Sequence, residues 1–138
     1  MYKEIKYKTD LLAIIVLNKY SKEGISFFTS NELSQQLAFM KHSKGHQIDS
    51  HIHNMAKREV HYTQEVLFIR KGKLRVDFYS NDKVYIESHI LEAGDVILLA
   101  SGGHGFEVLE DVEMFEVKQG PYTGDGDKTR FKSVKTGE

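Results

Sequence analysis

Three histidines and a glutamate in this chain are spaced to share one metal ion. His51 and His53 stand two apart in the alternating run HQIDSHIHN, Glu65 opens EVLFIRKG, and His104 lies in the Gly-rich turn SGGHG. In a strand, the side-chain period of two puts both imidazoles of the HxH pair on one face. Glu65, starting a second strand-like run, can be carried opposite that pair, and His104 follows a third. Three imidazoles and one carboxylate suit a borderline divalent ion such as Zn, Fe, Mn, Ni or Co. Each neutral imidazole would bind through one nitrogen while the other takes an acceptor that fixes its tautomer. Taken singly, these residues read as surface histidines and a strand-edge carboxylate. Their combination is what argues for a metal.

The elements that must position them read as strands. LLAIIVLN has β-branched residues and no helix caps, which predicts a strand buried on both faces. GISFFTS repeats the pattern after a glycine turn, and LSQQLAFMKHSKG and HQIDSHIHN are expected to be strands as well. Residues 54–64 form a polar loop between the two ligand strands. EVLFIR, a turn at Lys71-Gly72 and KLRVDFY read as a hairpin. VYIESHIL and VILLA follow, separated by the turn Glu92-Ala93-Gly94-Asp95. FEVL and MFEVKQG come last, with a turn at Glu110-Asp111. Tyr79, Tyr85, Phe106 and Phe115 fall on strand periodicity as core or barrel lining. Short strands with turns every eight to twelve residues predict an all-β sandwich or barrel.

At 138 residues the chain is expected to be one domain. N-terminal strands occupy 1–44, a motif-bearing barrel 45–118 and a C-terminal arm 119–138. A net charge of −1 gives no basic field, so no nucleic-acid partner is expected. No apolar run approaches the roughly 18–20 residues that span a bilayer. The charged residues before LLAIIVL argue against a signal peptide. Cysteine is absent, which removes disulfides, Cys-ligated zinc, iron–sulfur clusters and a thiol nucleophile. A cytoplasmic protein is the expectation.

Gly45, His51-Ile52-His53, then Glu65 and Gly72 after six intervening residues, resembles the first motif of the cupin family. Gly94, a short apolar run, Gly102 and His104 resembles the second. The resemblance covers about half the chain and implies a small jelly-roll barrel that holds one metal through His51, His53, Glu65 and His104. The ending EMFEVKQGPYTGDGDKTRF is similar to that of small bacterial single-domain cupins expected beside surface-polysaccharide genes. The chain departs from the pattern where eleven residues separate His53 from Glu65, against three or four in the family. In an alternative register Glu59 and His61 form the pair; the Gly45 spacing favours His51 and His53.

The loop before Glu65 carries Arg58, His61, Tyr62 and Gln64, candidates for contact with a small molecule or for alternative ligation, with Arg58 suited to an anion. The function expected from this site is that of a small-molecule metalloenzyme. Its metal would act as a Lewis acid on a sugar or a keto or hydroxy acid, in isomerisation, epimerisation or oxygen-dependent oxidation. The competing reading is a non-catalytic module binding a sugar in the same pocket, and a metal-free epimerase is a third. A homodimer is expected, because LLAIIVLN would otherwise leave an apolar edge exposed.

Overall fold

The computed structural model describes residues 1–133. The described residues hold eight strands: β1 (Tyr2–Tyr7), β2 (Asp10–Val16), β3 (Gly24–Phe27), β4 (Ala38–Lys41), β5 (Glu65–Tyr79), β6 (Tyr85–Glu92), β7 (Val96–Leu99) and β8 (Gly103–Lys118). A 3-10 turn spans Asp125–Asp127. The all-β expectation holds, with no α-helix among the described residues. Six strands form one strongly curled half-barrel in the order β1-β2-β7-β5-β6, with β8 also on β5; β3 and β4 form a separate pair.

The apolar runs explain the centre of this sheet. Leu12, Ala13 and Ile15 of β2 enter the main core with Leu67, Leu74 and Ile97. Ile14 and Val16 point the other way, against Leu98 and Phe28. Covering both faces demands an unbroken apolar strand, and each such side chain contributes about 1.5–3 kcal/mol on burial. The second face is closed by an aromatic cluster in which Tyr20 packs edge-on against Phe28 and Phe39. LLAIIVLN is therefore no exposed edge, contrary to expectation, because β2 lies between β1 and β7.

Two expected turns are absent. EVLFIRKGKLRVDFY is one strand of fifteen residues, not a hairpin, and GHGFEVLEDVEMFEVK is one of sixteen. The two run antiparallel over their whole length, from Glu65 opposite Lys118 to Tyr79 opposite Gly103. The register slips at Ile69/Lys71, Lys71/Lys73 and Lys73/Leu74, which are β-bulges that bend the ribbon. Gly72 sits there at φ 90°, where a Cβ would collide with the Asp111 carbonyl oxygen. The turn-type residues thus make a corner within paired strands.

HQIDSHIHN is not a strand either, and LSQQLAFMKHSKG contributes only Ala38–Lys41. Its alternation is real, but no neighbouring strand of the same chain pairs with it, and a strand needs that ladder. Phe106 and Phe115 are exposed rather than lining a closed barrel, because β8 pairs only with β5.

Candidate functional site

The bend in the β5–β8 ribbon creates the site. Glu65 starts β5, and a glutamine on either side of the strand pair anchors it. The buried Gln64 carboxamide oxygen accepts from Ser34 Oγ and the Gln35 amide, both at 3.0 Å, and its Nε2 donates to the Ala100 carbonyl at 3.3 Å. The Gln119 amide donates to the Gln64 carbonyl at 3.0 Å. Gln64 therefore ties β5 to the turn before β8, and it also lines the cavity described next.

The Glu65 carboxylate is buried to all but 11% of its side chain, with His104 Nε2 3.3 Å from Oε2 and Lys118 Nζ 3.2 Å from Oε1. His104 is the main influence holding the Glu65 carboxyl below its ordinary value of 4.5; Lys118 acts in the same sense and burial opposes both. Lys118 is itself raised, first by Glu116 and then by Glu65. Glu65 and His104 face an open cavity of about 1040 Å³ whose walls include Tyr79, Lys128, Arg130 and Phe131, while Lys118 holds the carboxylate from outside it. The Tyr79 hydroxyl is buried without a hydrogen-bond partner, a state that costs about 1–3 kcal/mol unless something bonds to it. The C-terminal stretch folds back over this cavity. Phe131 packs edge-on against Tyr79 at 5.0 Å, and Thr63 Oγ1 donates to Asp127 Oδ1 at 2.6 Å.

The structure brings Glu65 and His104 together but not the HxH pair. His51 and His53 are exposed and line no part of the cavity; their rings touch each other at 5.3 Å, and His51 Nδ1 lies 2.8 Å from the Asp49 carbonyl oxygen. His61 and Tyr62 reach the rim, whereas Arg58 does not. Glu59 and His61 form an exposed pair at 3.5 Å, well apart in kind from a buried ligand set. Among the described residues no three of His, Cys, Asp and Glu are grouped to hold a metal. Two donors with an ammonium beside the carboxylate do not fit the four-ligand centre that the resemblance implies. Lys118 went unnoticed in the sequence as a site residue. Its place depends on the register Glu65↔Lys118, which no local pattern announces.

Among the described residues no helix is long and apolar enough to cross a membrane. No protein-family model, curated protein or solved structure matches the chain.

Proposed function

We propose that the cavity binds a small hydroxylated or carboxylate-bearing molecule and moves a proton at a carbon beside its carbonyl, an isomerisation or epimerisation of a sugar or keto acid. The observation that carries this reading is the buried Glu65 carboxylate held between His104 and Lys118 on the cavity wall. A carboxylate bonded to one imidazole nitrogen fixes the ring and offsets the charge it gains, leaving the other nitrogen to take a proton. His104 would remove the proton and the electron pair would pass to the carbonyl oxygen; after exchange of the His104 proton with solvent, the pair would move back and a proton would return to the same carbon or to the neighbouring one. Lys118 adds to His104 in holding Glu65 ionised. Lys128 and Arg130 supply positive charge for an anionic group, and Tyr79 a hydroxyl for a polar one.

The finer fold reading, a cupin-type jelly roll, is supported by the curled half-barrel, by Gly72 at its corner and by His104 beside Glu65. The proposed reaction takes no step through a metal. Its test is deuterium incorporation from solvent into the carbon-bound hydrogens of a panel of keto acids, aldoses and ketoses, followed by NMR. Incorporation that disappears in His104→Gln supports the reading. Binding of a panel member without exchange replaces it with a sugar- or acid-binding module, and neither binding nor exchange overturns both.

A further inference from the structure

The stretch between β4 and β5 makes almost no use of its own chain. Every residue from 43 to 62 is exposed, yet the segment is not purely polar. Ile52 is 86% exposed, Tyr62 83% and Met55 101%, values expected of a chain with nothing against it. A polar, glycine-rich linker would carry no such side chains.

The same molecule has an unfilled place for an extended segment. β8, sixteen residues long, pairs with β5 along one edge, and among the described residues no strand pairs with its other edge. Phe106, Val108, Met114, Phe115 and Val117 are 40–62% exposed along it. Within the six-stranded sheet, the other two outer strands are protected differently. β1 carries exposed Lys3, Glu4 and Lys6, and β6 is half as long as β8. Charged or short edges resist pairing, whereas a long apolar edge invites it.

We infer that residues 47–62 of one copy dock as an extra strand along the free edge of β8 in a second copy, and reciprocally. One chain carries both the unpaired donor and the unpaired acceptor, so a twofold exchange satisfies both and closes. Residues 43–46 are held in a turn by the His46 amide on the Ser43 carbonyl, and the sixteen residues from 47 to 62 match the length of β8. Asp111 of β8 has no ion pair among the described residues and offers a counter-charge to Lys57 or Arg58 of the incoming strand. Eleven large apolar side chains per copy are exposed on the two surfaces. At on the order of 100 Å² each, and even at half that, two copies exceed the about 1,000 Å² that marks a specific interface. The docked strand also continues the half-barrel past β8, where its curl is open.

Light scattering at micromolar concentration should give twice the 15.9 kDa chain mass for the native protein. Ile52→Asp/Met55→Asp should run as a monomer with an unchanged strand spectrum, since neither side chain touches its own core. A native monomer, or a double variant that still dimerises, overturns the proposal. The chain has no cysteine, so Met55→Cys and Val108→Cys proteins can be mixed and joined with a short bismaleimide. Crosslinks between unlike copies are expected; a predominance of 55–55 links means the copies meet segment to segment, and the proposal falls.

Discussion

Glu65 and His104 sit at opposite ends of one antiparallel ladder and are 3.3 Å apart. His104 opposes Phe78, so a straight β5 would separate the pair by roughly 40 Å at ~3.3 Å per residue. The bulges around Gly72 fold the ribbon until its ends meet. The site is a property of that corner as much as of the residues in it.

Gly72→Ala should therefore cost more than a glycine substitution elsewhere. The left-handed backbone alone costs about 1–2 kcal/mol, and the new Cβ would press on the Asp111 carbonyl. Urea unfolding is expected to show a loss of at least about 2 kcal/mol. Gly45→Ala, at a similar φ of 91° with nothing within 4 Å, should lose less than Gly72→Ala.

Acid stability should report the Glu65 environment. Its folded value lies below the unfolded one, so ionised Glu65 contributes stability above pH 4.5 that fades as pH falls through the lower folded value. Glu65→Gln should remove this part of the acid slope. Unfolding midpoints measured across pH 3–6 would check it, and an unaltered acid limb in the variant contradicts the assignment.

These expectations mark how much was legible beforehand. The unbroken run of β2 announced its double burial, and EAGD announced a turn. Lys71-Gly72 and Glu110-Asp111 misled because turn-type residues also serve at bulges, and here the two sets face each other across the same ladder, Lys71 opposite Glu113 and Lys73 opposite Glu110. Glu65 and His104 stood out through the resemblance to the cupin motifs, whose glycines Gly72, Gly94 and Gly102 do take positive φ. The HxH strand was not legible as it stands, since alternation specifies a face but not the partner that must hydrogen-bond to it.

His104 and Lys118 should separate in function. His104→Gln is expected to lower solvent exchange into a turned-over substrate by roughly 100-fold or more. Lys118→Met should act through Glu65, moving the acid limb of the pH–rate profile upward with a smaller loss at its plateau. A shift in both variants alike would place the two side chains in the same role.

Metal retention should depend on assembly. Glu65 and His104 are two donors, whereas transition-metal sites use three or four protein ligands. The monomeric Ile52→Asp/Met55→Asp chain is expected to keep no stoichiometric zinc, iron or manganese through dialysis, as elemental analysis would read. A full equivalent in that variant contradicts this count. An equivalent held by the native pair and lost in the variant places His51 and His53 beside the second copy's Glu65.

The ladder that bends to make the site also orders its formation in time. Tyr79 pairs with Tyr85 across a short turn and with Gly103 across residues 80–102, while Glu65 must find Lys118 across residues 66–117. Longer closures cost more chain entropy and are made later unless shorter ones precede them. Zipping from the Tyr79 end brings the strands past the Gly72 corner before Glu65 meets its neighbours. Pulsed hydrogen exchange should then protect the Phe78 amide earlier than that of Val117. A partly folded chain has a sheet and a core but no Glu65–His104 contact, so the site itself closes with the last turn of the zipper.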